Sequence, residues 1–141
     1  MKTFIGAVLA TAVIVGWSPG ISAGETPSPS TANLYIISPK DGDSVASPFT
    51  VSFGLAGMGV APAGVEKKNT GHHHLLIDAA VPNANEPIPK DDNYRHFGGG
   101  QTEAVINLAP GSHTLQLLLG DHNHIPHNPP VMSRKITINV R

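Results

Sequence analysis

Between residues 33 and 140 the apolar side chains fall into six short runs, and none carries a stripe with the 3.6-residue period of a helix. The runs are 33–38 (NLYIIS), 49–56 (FTVSFGLA), 73–79 (HHLLIDA), 102–108 (TEAVINL), 113–120 (HTLQLLLG) and 135–140 (KITINV). Several alternate with period two. Val51, Phe53 and Leu55 share one side of their run, and Leu115, Leu117 and Leu119 share one side of theirs. Thirteen prolines and fifteen glycines punctuate the chain, so each run ends in a turn. This pattern predicts an all-β fold, an immunoglobulin-like Greek-key β-sandwich forming a single domain over residues 33–141.

Two connections fit that topology. Ser38-Pro39-Lys40-Asp41-Gly42-Asp43 is a turn signal after the first run, and Ala109-Pro110-Gly111-Ser112-His113 leads into the leucine strand. His113 there is expected to hydrogen-bond nearby backbone. The interval 81–100 is too long for a simple turn. It is expected to hold a short edge strand blunted by Pro82, Pro87 and Pro89.

The N-terminus reads as an export signal. Lys2 precedes an apolar run over 4–15, and Ile21-Ser22-Ala23 ends in a small residue, so residues 1–23 are expected to be a signal peptide. Residues 24–32 (GETPSPSTA) follow as a disordered tether. The mature protein is expected to be periplasmic or secreted, with no membrane anchor after cleavage. Cysteine is absent, so neither a disulfide nor a lipidated cysteine is available. Without Lys2 the chain carries eight basic against ten acidic residues, which leaves no basic footprint for nucleic acid.

What remains unusual is where the eight histidines lie. Three open the stretch GHHHLLID at 71–78, and three more fall in GDHNHIPHNPP at 120–130. In an immunoglobulin-like sandwich the strands at 73–79 and 113–120 are antiparallel neighbours, so the start of one lies beside the end of the other. Alternation puts His72 and His74 on the face away from the core, and extends that face to His122 and His124 if the chain stays extended. His73 points inward. These two His-x-His pairs predict one metal site with His72, His74, His122 and His124 as primary ligands. His127 and His96 are reserve ligands. Met58, in GMGVAPAG, is a soft ligand for Cu(I), as Met132 could be.

Imidazole donors without thiolate suit Cu(II), and copper binds hardest among divalent first-row ions, with zinc the alternative. Asp121 and Glu103 are candidate carboxylates for orienting the rings. The expected function is a non-catalytic copper carrier or buffer, exchanging its ion with another periplasmic carrier. Two rivals stand beside it. One is a small-ligand or protein-interaction sandwich whose histidines brace loops, with Tyr94 and Arg95 as a clamp. The other is a zinc-dependent hydrolase using His72, His74 and Asp121. A backbone anion cradle over 97–102 (FGGGQT) is a weaker reading, because no helix follows it.

GHHHLLID, HFGGGQTE and LAPGSHTLQLLLGDHNHIPHNPPV together resemble the signature of a secreted bacterial family, domain-of-unknown-function family 4399. The resemblance spans roughly residues 35–140. It implies a small exported β domain and brings no established activity. The turn at 38–43 also resembles the start of periplasmic copper-carrier sandwiches. Their N-terminal histidine has no counterpart at Gly24.

Overall fold

The computed structural model describes residues 26–141. The signal peptide expected over 1–23 lies outside the described residues. Nine strands and no helix occur among those described. They are β1 (Asn33–Ser38), β2 (Ser44–Val45), β3 (Phe49–Ala56), β4 (Gly59–Val60), β5 (Thr70–Ile77), β6 (Tyr94–His96), β7 (Glu103–Ile106), β8 (Gly111–Gly120) and β9 (Ile136–Val140).

One sheet has the order β1-β3-β7, and the other runs β2-β9-β8-β5-β4 with β6 also paired to β5. The chain changes sheet between β1 and β2, β2 and β3, β3 and β4, β6 and β7, and β7 and β8. These crossings make the fold an immunoglobulin-like β-sandwich. The alternating residues supply its core. Leu34, Val51, Phe53 and Ile106 from one sheet pack against Leu75, Ile77, Leu115, Leu117, Leu119, Ile138 and Val140 from the other. Each such side chain stabilises the fold by about 1.5–3 kcal/mol through burial.

The first and third strands match their expected limits, and others shift for local reasons. The strand expected at 73–79 begins at Thr70 and stops at Ile77, because Asp78 takes a left-handed backbone angle (φ 52°) that turns the chain. The expected 102–108 shortens to Glu103–Ile106, and 113–120 starts earlier, at Gly111. β6 is the short edge strand anticipated in the long interval. It pairs antiparallel with β5, in register His74↔His96, Leu75↔Arg95 and Leu76↔Tyr94.

That pairing changes the environment of the outer face. By parity alone the side of β5 and β8 away from the core should meet solvent. Instead the chain after β5 returns across it, and Leu76, Leu118 and Ile88 form a second buried cluster with Ala79 and Tyr94 against it. His72 and His74 lie on this covered face and are buried.

The expected tether is corrected over 26–32. Thr26 and Ser28 bracket a parallel bridge between Pro27 and Asn128: the Asn128 amide donates to the Thr26 carbonyl (2.9 Å), and the Ser28 amide donates to the Asn128 carbonyl (3.1 Å). Backbone hydrogen bonds to a loop outweigh the disorder that the Pro/Ser composition suggests.

His113 makes its expected backbone contact, with Nε2 donating to the Ala109 carbonyl (2.8 Å). It also has a partner that the sequence did not reveal, since Nδ1 donates to Asp78 Oδ2 (2.6 Å). Two acceptors favour the doubly protonated ring, and the Asp78 and Ala109 contacts raise the His113 pKa. Burial alone would raise the Asp78 carboxyl, but hydrogen bonds from His113 and the Thr114 amide outweigh it and lower its pKa. The pair therefore stabilises the fold above the ordinary carboxylate range and loses that effect as pH rises through the raised His113 pKa. Asp78→Asn keeps an acceptor and tolerates the left-handed angle. It is expected to cost about 1 kcal/mol near pH 5.5, discounted for the exposure of Asp78, and close to nothing near pH 9. Urea unfolding of both proteins at the two pH values checks this, and an equal cost at both contradicts it.

Candidate metal centre

β5 carries three consecutive histidines with no measurable exposure, each at 0%. Alternation sends His73 to the core side, where its ring stacks on Phe53 (centroids 5.1 Å apart, planes tilted 40°). His72 and His74 go to the opposite side, where Nε2 of one lies 3.0 Å from Nε2 of the other. Directly opposite residues of an antiparallel pair share a face, so β6 delivers His96 beside His74. On the other flank β8 places Gly120 opposite His72 and Leu118 opposite His74.

His124 completes the group by a route that parity did not foresee. The chain does not stay extended after β8. Asp121 Oδ1 accepts from the amides of Asn123 (2.8 Å) and Ile125 (3.0 Å), and the His124 amide donates to the Asp121 carbonyl (2.9 Å). His124 sits in this turn with a left-handed angle (φ 67°), which swings its ring back over β5. The four rings are mutual neighbours. Centroid separations are 4.8 Å for His72–His74, 5.1 Å for His72–His96, 5.0 Å for His72–His124, 5.0 Å for His74–His96, 6.2 Å for His74–His124 and 4.8 Å for His96–His124.

These distances have a physical scale. A regular tetrahedron with edges of about 5.2 Å puts its corners about 3.2 Å from the centre, which is where an imidazole centroid sits when nitrogen binds an ion at about 2.0–2.1 Å. One nitrogen each from His72, His74 and His96 lies within 4.8 Å of the other two. His124 walls the fourth side.

The same turn removes His122, which was expected to be a primary ligand. Its Nε2 accepts from Asn123 Nδ2 (2.9 Å), and it lines a cleft of about 340 Å³ with Thr26, Glu66 and Asp121. His127 is a brace: it is buried, and its Nε2 donates to the Thr70 carbonyl (3.0 Å). Met58 packs against the sandwich core, and Met132 accepts a long contact from Gln116 Nε2 (3.7 Å). Glu103 is exposed on β7, in the other sheet. Asp121 holds the turn and accepts from Thr26 Oγ1 (2.7 Å), so both of its oxygens are engaged by the turn and the N-terminal segment. The Gly99 amide donates to Gln101 Oε1 (2.9 Å) and the Gly100 amide to the Phe97 carbonyl (3.3 Å), which leaves no open anion cradle there.

Two glycines belong to the site that sequence reasoning missed. A Cβ on Gly120 would lie 2.9 Å from His74 Nε2, and one on Gly98 would lie 2.4 Å from His96 Cε1 and 2.7 Å from His96 Nε2. Each leaves the space that a ring fills. The available signal was adjacency, since both glycines lie within a few residues of a histidine in LGDHNH and HFGGG.

The electrostatics favour bare lone pairs. Burial, reinforced by the neighbouring rings His124 and His96, pushes His72 down to about 4. Burial and the repulsion of His72, His96 and His124 push His74 down to about 2. Burial, then His124 and Lys90, lower His96. These three rings are neutral at pH 7, the form in which imidazole binds metals. His72 Nδ1, His74 Nδ1 and His96 Nε2 are buried without a hydrogen-bond partner among the described residues. Orphaned groups of that kind cost about 1–3 kcal/mol each.

Residues 51–141 match the model of the family described as Domain of unknown function (DUF4399). No curated protein matches the chain. Among solved structures, the fibronectin(III)-like modules of Clostridium thermocellum CbhA are similar with a TM-score of 0.37 and 10% identity. The likeness covers 78% of this chain and 45% of that one, so this chain spans less than half its length.

Proposed function

This chain belongs to the DUF4399 family, and we propose that it is an exported, non-catalytic protein that binds one transition-metal ion, as a copper carrier or buffer. The ligands are His72, His74 and His96, with His124 as the fourth. The observation that carries this reading is two buried imidazoles and one half-buried imidazole whose ligand nitrogens lie within 4.8 Å of one another. Burying neutral rings together with so few hydrogen bonds costs stability, and a shared cation offsets that cost.

Copper is the ion favoured by the donor set, which holds nitrogen and no thiolate. Copper also heads the affinity order of the divalent first-row ions, and the near-tetrahedral arrangement of the four rings makes Zn(II) the competitor. Exchange with another carrier in the same compartment is the role that fits a site reached past partly exposed His96 and His124. The bracing alternative describes His113 and His127 well, since each donates to a carbonyl. It leaves the four clustered rings unexplained. A hydrolytic zinc site with Asp121 is disfavoured by that carboxylate's commitment to the turn.

Titration of metal-free protein with Cu(II) and Zn(II), against a competing chelator, tests the reading. One ion per chain is expected, with copper held more tightly. At a free metal concentration of about 100 times Kd the stabilisation is about 2.7 kcal/mol, which raises Tm by about 10 °C. Absence of stoichiometric uptake and of any thermal shift rejects the metal site.

A further inference from the structure

His124 differs from the other three rings in what holds it. His72, His74 and His96 stand on paired strands, whereas His124 stands on a turn whose hub is Asp121. One oxygen of Asp121 fixes the turn internally through the Asn123 and Ile125 amides. Its other oxygen accepts from Thr26 Oγ1, 95 residues away along the chain (2.7 Å). Beyond Thr26, the Ser28 hydroxyl donates to the Pro129 carbonyl (2.6 Å), and the bridge between Pro27 and Asn128 ties the segment to the far end of the same loop. Residues 26–28 thus clamp both ends of the 121–129 loop. On the other side the His124 carbonyl accepts from the Ile88 amide (2.8 Å).

We propose that Thr26 and Asp121 form a clasp that positions His124 as the exchangeable fourth ligand, so that the N-terminal strap sets how fast the ion enters and leaves. This rests on the metal-binding reading above. With the clasp closed, the turn holds the His124 ring over the other three. With it open, the strand-borne rings keep the ion in a three-nitrogen shell open to incoming donors. Thr26 and Asp121 are positioning residues that act through His124.

The test uses Co(II), whose visible absorption reports coordination, and measures its release to a chelator. Thr26→Val removes the hydroxyl at nearly constant shape, and Thr26→Ser restores it. Thr26→Val is expected to keep one ion per chain, change the Co(II) band and speed release about tenfold, within the 10–100-fold range typical of partners that orient a ligand. Thr26→Ser should recover the slow release. His124→Gly removes the ring and suits the left-handed angle. It should match Thr26→Val, and the double variant should be no faster than His124→Gly alone. Additive effects, or an unchanged rate in Thr26→Val, overturn the proposal. Hydrogen exchange on metal-free protein separates the two levels. Faster exchange of the Asn123 and Ile125 amides in Thr26→Val supports the clasp, and unchanged exchange rejects it while leaving the metal site standing. Failure of the wild-type protein to bind Co(II), Cu(II) or Zn(II) removes the metal reading, and this inference with it.

Discussion

Replacing His72 and His74 together by leucine is expected to abolish metal uptake while leaving the metal-free protein at least as stable as wild type. The two effects have separate causes. Structural four-ligand zinc sites are worth about 10–16 kcal/mol, on the order of 3 kcal/mol per ligand. Loss of two ligands then weakens binding by about ten-thousandfold, at 1.4 kcal/mol per tenfold. Stability moves the other way because the pair bond only each other and keep orphaned Nδ1 atoms. Replacing both members of a buried polar pair by apolar groups of similar size is neutral or stabilising. Two leucines here would extend the apolar patch of Leu76, Leu118 and Ile88 toward Gly120. A gain of about 1 kcal/mol corresponds to about 4 °C in Tm. Thermal unfolding with chelator present, beside a copper titration, reads both. A lower metal-free Tm with uptake intact would mean that these rings brace the fold.

Gly98→Ala is expected to weaken metal binding about 100-fold and to leave the metal-free fold nearly unchanged. The added methyl would lie 2.4 Å from His96 Cε1, a separation that no real contact tolerates. The ring must leave, and with it one ligand worth on the order of 3 kcal/mol. The fold is spared because what gives way is the end of a partly exposed side chain, and because Gly98 does not take a left-handed angle. Isothermal titration of the variant and its urea midpoint separate the two. Undiminished affinity would show that the His96 ring is not in the shell. A large fall in stability would make Gly98 a determinant of the fold.

The sandwich was legible because core burial imposes a period of two wherever one face is dry. Val51 and Phe53, and Leu115, Leu117 and Leu119, pack where that pattern puts them. Alternation likewise separated His73 from His72 and His74. Two things escaped it. A turn centred on a carboxylate is invisible to strand parity, so His122 was carried along an extended path that Asp121 cuts short, and His124 arrived by the turn itself. Register is equally hidden. Nothing in YRH states that β6 pairs with β5 rather than hanging as loop, and that pairing moves His96 from the margin of the cluster to its centre. Met58, Glu103 and Asp121 were grouped with the rings by chain proximity or chemical suitability. Packing, sheet membership and hydrogen bonding assign them elsewhere.

X-ray absorption at the copper edge of the loaded protein addresses the coordination sphere directly. Three to four imidazole nitrogens at about 2.0 Å, with the outer-ring scattering that identifies histidine and no sulfur shell, is the predicted result. A sulfur shell, or a sphere of oxygen scatterers with fewer than two imidazoles, would contradict the assignment of His72, His74, His96 and His124 as the metal centre.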